Sequence, residues 1–379
     1  MTRRRLIYLW VAILLLAVAA ALMLYGEEPA PDRPEVAVSF PRMLRPEERV
    51  RMESRRTLPA PPPETGEVLA GPERPRDPVL AALSGGHGSA VVVEANAIRN
   101  SPVGKLLLDC LRAEAREDPF EKMKKESGVD LLQDLDRVAL TEDGMIVSGH
   151  FGNARWGDLF GEHATSTRYG DGATLYHPVP REVALPDGGR TVRQAEEALA
   201  TWSDQVLLLG ESDEAVRGMI DRIEGRQAVE QPPLDESQTY GEIYGVLTAQ
   251  DLARMFPGEQ SDLAERFRAA ADRIEIHVDT SRDVGIVADV RGSDPSQVED
   301  LGKSLGAAMA LARLGAQDDE QRDLADLLDL AKVRPNGDQF KVELAIPLEV
   351  LEKYLSRCGE RRKEREERLR RMEETGEDR

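Results

Sequence analysis

Twenty consecutive uncharged residues, Leu6 to Tyr25, decide most of what this chain can become. A helix of that length crosses about 30 Å of hydrocarbon, and Arg3, Arg4 and Arg5 stand just before it. Basic residues resist translocation, which predicts one pass with the N-terminus in the cytoplasm and everything after Tyr25 outside it. A cleavable signal peptide is the alternative, because Ala19-x-Ala21 supplies a cleavage site. The apolar run nevertheless continues to Leu24, long for the core of a leader. No cysteine closely follows it, which excludes a lipoprotein. Both readings place the body of the chain in an extracytoplasmic compartment, with the bacterial inner membrane as the partner of residues 6–25.

Composition then divides the rest. Residues 26–80 hold 12 of the 23 prolines, including Pro61, Pro62 and Pro63, a density that blocks helices and sheet ladders and predicts an extended spacer. Residues 359–379 alternate acidic and basic side chains, with Glu364/Arg368, Glu366/Arg370 and Glu367/Arg371 at i,i+4, as in a solvated helical or disordered tail. The net charge is −20, and nearly all of it falls on what remains. An acidic body of that kind is repelled by nucleic acid and by anionic lipid headgroups, so no nucleic acid is expected as a partner.

Between these ends the pattern is that of hairpins separated by helices. Ser89–Ala95 is a β-rich apolar run, and Asn96 or Ser101 with Pro102 opens a helix through Arg116. A short helical piece is expected at Leu131–Leu135. Arg137–Glu142 and Met145–Phe151 form a hairpin around Asp143-Gly144, with Val138, Leu140, Met145 and Val147 sharing a face. A second hairpin turns at Ser203-Asp204, and Ser212 caps the helix after it. From Tyr240 the order begins again: a strand, helical sequence around Pro257-Gly258, the hairpin Arg273–Asp279/Val284–Arg291, a helix from Pro295, and a last hairpin around Asn336-Gly337. Asp136-Arg137-Val138 matches Asp272-Arg273-Ile274, and Ser203-Asp204-Gln205 matches Gly337-Asp338-Gln339. Near-constant offsets point to an internal duplication. The fold class expected is α+β, a duplicated unit of antiparallel β-hairpins with helices packed on one face and the other face wet. Its first copy would cover 81–228 and its second 229–358, the whole preceded by one transmembrane helix.

The strand followed by Asn100-Ser101-Pro102-Val103-Gly104-Lys105, then Asp134-Leu135-Asp136-Arg137 and the Asp-Gly hairpin, resembles a class of uncharacterised membrane-anchored bacterial envelope proteins built from repeated α+β units. The resemblance implies export and a scaffold, with no assigned chemistry. The second copy departs from it, since Ala249-Gln250-Asp251-Leu252 replaces the Ser-Pro helix start.

Motifs that carry chemistry are scarce. Gly302-Lys303-Ser304-Leu305-Gly306 spells a nucleophile elbow, but inside a predicted helix, whereas an elbow needs a strand-to-helix turn. Glu275, His277 and Asp279 alternate on one strand face, the ordinary pattern of a solvated face. His150 lies opposite the apolar face of its hairpin, and Asp130, Asp134 and Asp136 have a loose ligand-like spacing. No cofactor or metal is expected. The aromatic residues concentrate in one stretch: Phe151, Trp156, Phe160, Tyr169, Tyr176 and Trp202, with His163 and His177 among them. From these, Trp156, Tyr169, Tyr176, His177 and Trp202 are the candidate residues for binding an envelope protein or a glycan. Cys110 and Cys358 lie on apolar helix faces, where pairing and burial as free thiols are both open. The reading is a non-enzymatic binding or scaffolding protein of the cell envelope. The alternatives are a cell-wall hydrolase using a carboxylate pair and a subunit that assembles through sheet edges.

Overall fold

The computed structural model describes residues 77–83, 88–115, 118–156, 164–178, 181–184, 190–193, 198–228, 232–255, 261–315, 328–356 and 358. The apolar run, the Pro-rich stretch up to residue 76 and the charged tail lie outside them. Among the described residues no helix is long and apolar enough to cross a membrane. The protein is α+β, with extensive antiparallel pairing and several helices. It divides into two compact units that alternate along the chain: residues 77–99 with 118–246, and 100–115 with 247–358. The expected spans 81–228 and 229–358 are therefore not the compact units. Residues 77–80, expected to belong to the spacer, are already structured at the start of a helix, and residues 100–115 group with the later sequence.

Asp77 opens the fold by accepting hydrogen bonds from the backbone N–H of Val79 at 2.9 Å and Leu80 at 3.3 Å. These start helix α1 (Pro78–Ala82), where proline's missing N–H costs nothing. Strand β1 (Ala90–Val93) follows, then the short helix α2 (Ala95–Asn100). Ser101 caps α3 (Pro102–Glu114) through the N–H of Gly104, as the sequence predicts. Asp118 caps α4 (Pro119–Ser127) in the same manner. The helical piece expected at Leu131–Leu135 is instead a turn leading straight into β2 (Leu135–Thr141). Asp134 accepts from the N–H of Asp130, and Asp130 from that of Leu132. One helical bond forms, from the Asp134 N–H to the Asp130 carbonyl at 2.7 Å, and the strand begins at the next residue.

In the first unit β2 pairs with β1 and with β3 (Gly144–Gly149), and the register opposes Val138 to Val147 and Leu140 to Met145. The shared face is therefore as expected, while the turn is centred one residue earlier, on Glu142-Asp143. Gly144 is needed for another reason: it has φ +148°, and a side chain there would run into the Leu209 carbonyl of the neighbouring strand. The hairpin β4 (Ala164–Tyr169)–β5 (Ala173–Pro178) and the pair β6 (Arg181–Ala184)–β7 (Arg190–Arg193) come next. They are followed by the hairpin β8 (Ala198–Trp202)–β9 (Val206–Gly210) and helix α5 (Asp213–Ile223), capped by Ser212. Strand β10 opens with Ile243, and its first four residues lie antiparallel to β1. The order across the sheet is β10-β1-β2-β3-β9-β8-β5-β4.

The main core of this unit lies on the face opposite the one that the hydrophobic pattern favoured. Ala139 and Ile146 pack there with Val92, Leu175, Ala200, Leu208 and Tyr244, beneath Val216, Met219, Ile220 and Ile223 of α5. The expected face carries a second cluster, Val147 with Val129 and Phe151, flanked by Leu135, Val138, Met145, Leu207 and Leu209. Both faces hold apolar residues because the segments around 129–135 and 151–156 fold onto the second one.

The second unit repeats the style. After β10 (Ile243–Thr248) come α6 (Ala249–Met255), α7 (Ser261–Ala270), the hairpin β11 (Arg273–Asp279)–β12 (Val284–Arg291) and helix α8 (Pro295–Gly315). The hairpin β13 (Ala331–Asn336)–β14 (Gln339–Ile346) and helix α9 (Leu348–Leu355) complete it. Within this unit the order is β11-β12-β14-β13. Ile274, Val290, Val298, Leu301 and Phe340 form its core, under α8. The N-terminal part of α8 can lie close because residue 302 is glycine: a Cβ there would sit 3.1 Å from the Phe340 ring.

The opposite face of this sheet, expected to be wet, is not. His277 is 3 % exposed, Asp279 5 % and Glu343 3 %. Ion pairs cover much of it: Glu275–His277 at 2.8 Å, Asp289–Lys341 at 3.3 Å and Glu343–Arg334 at 2.9 Å. The charged heads of Lys341 and Arg334 meet the carboxylates of Asp289 and Glu343, so alternating polarity here does not mean exposure.

Candidate functional site

The five aromatic and imidazole candidates divide between the two faces of the first unit's sheet. Trp156 belongs to the second cluster, its ring edge-on to Phe151 with centroids 5.8 Å apart. Tyr176 is half-buried on that same side of β5, since Leu175 beside it points into the main core. Tyr169, His177 and Trp202 lie on the side covered by α5. Phe160 and His163 fall outside the described residues.

Tyr169 and Trp202 converge on the C-terminal end of α5, and the residue that gathers them is one the sequence reading passed over. Glu224 accepts from the Trp202 indole N–H at 3.1 Å, from the Asp171 backbone N–H at 3.0 Å and from that of Gly172 at 3.2 Å. It also pairs with Arg226, and its side chain is only 5 % exposed. The Tyr169 hydroxyl donates to Asp221 at 3.1 Å, and the guanidiniums of Arg217 and Arg226 lie 5.1 and 5.2 Å from the centre of its ring. Both aromatic residues are thus engaged within the protein. A carboxylate four residues past a buried Ile220 carries no sequence signal for this role, because its partners other than Arg226 are 22 to 53 residues away.

His177 is set differently. Its Nε2 lies 2.9 Å from the Thr167 hydroxyl, and its Nδ1 lies 2.9 Å from Asp213 at the start of α5. Hydroxyl, imidazole and carboxylate stand in the order of an acyl-transfer relay. Thr167 and its strand neighbours Ser166 and Arg168 are exposed. The chain of contacts also ties the β4–β5 hairpin to the helix.

The remaining acidic and histidine candidates have protein partners. Lys124 bonds Asp130 at 2.8 Å, and that hydrogen bond holds the Asp130 carboxyl below its ordinary value. His150 lies 3.4 Å from Asp136, and His277 pairs with Glu275. Among the described residues no group of three His, Cys, Asp or Glu side chains is arranged to hold a metal ion. Gly302–Gly306 lies inside α8, as the sequence predicts.

Buried charge occurs at the entry to the first unit. Asp77 meets Arg137 through two contacts, at 2.7 and 2.9 Å, with both side chains under 10 % exposed. Burial alone pulls the Arg137 guanidinium down, and Asp77, then Glu94 and Tyr244, return it above its ordinary value. The Tyr244 hydroxyl donates to Glu94 at 2.9 Å. In the second unit Cys110 of α3 is bonded to Cys358 just after α9, across 248 residues of sequence. A groove of about 400 Å³ runs between the C-terminal half of α8 and β13.

No family model matches the sequence, and no curated protein matches it. Crystal forms III and I of TP0453 are similar in structure at TM-scores of 0.42 and 0.41, with 11 % identity. The match covers 73 % and 75 % of this chain and 97 % and 98 % of that one. A likeness at that level bears on neither function nor site.

Proposed function

We propose that this is a single-pass, membrane-anchored extracytoplasmic protein with a non-enzymatic binding or scaffolding role in the cell envelope. The observation that carries the reading is the Cys110–Cys358 bond. Disulfides persist in oxidising compartments and are rare in the cytosol, which agrees with the arginines before Leu6 and the uncharged run after them. The body is a duplicated unit: in each unit two hairpins meet through their inner strands, β2-β3-β9-β8 and β11-β12-β14-β13, and a helix follows the second hairpin. The test is in-cell cross-linking of the tagged full-length protein, with a version lacking residues 81–358 as control. Envelope proteins or glycan recovered with the first and lost with the second support the reading. Equal recovery from both, or none from either, removes it.

A second reading, an exported hydrolase, draws on the Thr167–His177–Asp213 chain of contacts. It requires turnover of an ester or amide that Thr167→Ala and His177→Gln both abolish without lowering thermal stability, and unchanged turnover in either variant rejects it.

A further inference from the structure

We propose that the groove between α8 and β13 is a strand-addition site for an extended acidic peptide, a reading that rests on the binding role above and names its partner class. Among the described residues β13 is the last strand of its sheet, paired with β14 on one side. The ladder shows which of its backbone groups face outward. Leu330 accepts from the Ala345 N–H, whereas the Ala331 carbonyl is turned away from β14 and accepts from Arg313 at 2.9 Å. Antiparallel pairs alternate, so Ala331, Val333 and Pro335 direct their main-chain groups outward, and Lys332, Arg334 and Asn336 bond to β14. Pro335 therefore removes no bond from the ladder. Val333 presents one N–H and one carbonyl, the pair that an added strand exchanges with the residue opposite it.

The groove fits such a strand in shape and charge. Its floor is apolar and small, made by Gly306, Met309, Ala331 and Val333. A Cβ added at Gly306 would touch nothing within 4 Å, unlike one at Gly302. Its rim carries Arg313, Lys332 and Arg334, and Arg334 keeps 60 % of its side chain exposed while bonding Glu343. Arg313 also pairs with Asp329 at 3.5 Å, yet three cations around one groove stand out on a chain of net charge −20. Lysine and proline on an outer strand also guard against edge-to-edge aggregation, but guarding needs no open apolar floor beside the strand. Because side chains alternate, the residue opposite Val333 points into the groove, and its two neighbours lie beside Lys332 and Arg334. The recognised pattern is acidic–apolar–acidic.

The test uses the full-length protein in detergent micelles and a fluorescein-labelled peptide Gly-Ser-Glu-Val-Glu-Ser-Gly, read by anisotropy. The peptide should bind, and its Lys-Val-Lys counterpart should bind at least tenfold more weakly. Added salt should narrow that difference. Gly306→Leu, which fills the floor with a good helix former, should weaken binding tenfold or more. Val333→Pro, which removes an outward N–H and spares the bonds to β14, should do the same. Equal binding of the two peptides, no binding of the acidic one at millimolar concentration, or full binding by a folded Gly306→Leu variant overturns the proposal. The in-cell capture separates this failure from the broader one. If the wild type captures partners and Gly306→Leu captures the same ones, the groove is excluded and the binding role stands. If the wild type captures nothing, the binding role itself fails.

Discussion

Removing the Cys110–Cys358 bond should cost a large share of the protein's stability. The bond joins residues 248 apart. The chain-entropy relation puts closure of so long a loop at about 5.5 kcal/mol, and measured effects usually reach about 2–4 kcal/mol. A folded part of roughly 280 residues has an unfolding entropy near 0.6 kcal/mol per degree, so a loss of about 3 kcal/mol lowers the melting temperature by roughly 5 °C. The assay is thermal unfolding of the Cys110→Ala/Cys358→Ala double variant against the oxidised wild type. Alkylation of both under denaturing conditions without reductant establishes the thiol state. The wild type should show no free thiol. A melting temperature shifted by less than about 1 °C would refute the long-loop reasoning, and two alkylated cysteines in the wild type would remove the support that the bond gives to export.

Asp77→Ala strips α1 of its cap and leaves Arg137 buried without its partner; the expected cost is about 3–5 kcal/mol, read by urea unfolding, and a loss under 1 kcal/mol contradicts the burial of the pair. Glu224→Ala orphans three donors, among them the Trp202 indole. It should cost about 2–4 kcal/mol and change the intrinsic tryptophan fluorescence, whereas an unchanged spectrum would place Trp202 elsewhere. Gly302 and Gly306 make a matched pair on one helix. Gly302→Ala should destabilise by about 1–3 kcal/mol because its Cβ meets Phe340, while Gly306→Ala should stabilise by up to about 1 kcal/mol through helix propensity; the same sign in thermal unfolding of both would refute the packing of α8.

What the sequence made legible follows from how local its signals are. Period-two alternation identified the hairpins, and Val138 and Val147 share a face as read, although the turn between them falls one residue earlier than its Asp-Gly signal. Ser101 and Ser212 cap their helices because a cap reaches only three residues ahead. Alternation cannot say which face receives a helix, so the deeper core gathered around Ala139 and Ile146 instead. It also cannot separate solvent from paired charge, and the strand of Glu275, His277 and Asp279 read as wet although it is covered. The candidate aromatic residues were found by composition. Glu224, which organises two of them, was not, because its contacts join distant parts of the chain. The link between α3 and the end of the fold was illegible for a related reason: Cys110 is bonded to Cys358, 248 residues further along the chain.

The ion pair at Asp77 has a mechanical consequence. Asp77 stands at the entry to the fold, and its carboxylate grips Arg137 on β2, a strand flanked on both sides by β1 and β3. A pull along the chain from its N-terminal side therefore enters at an interior strand, where hydrogen bonds on both flanks resist together in shear, instead of at a border strand that would unzip one bond at a time. A load entering there is shared between this ion pair and Val79, Ala82 and Leu83, which are buried in the main core.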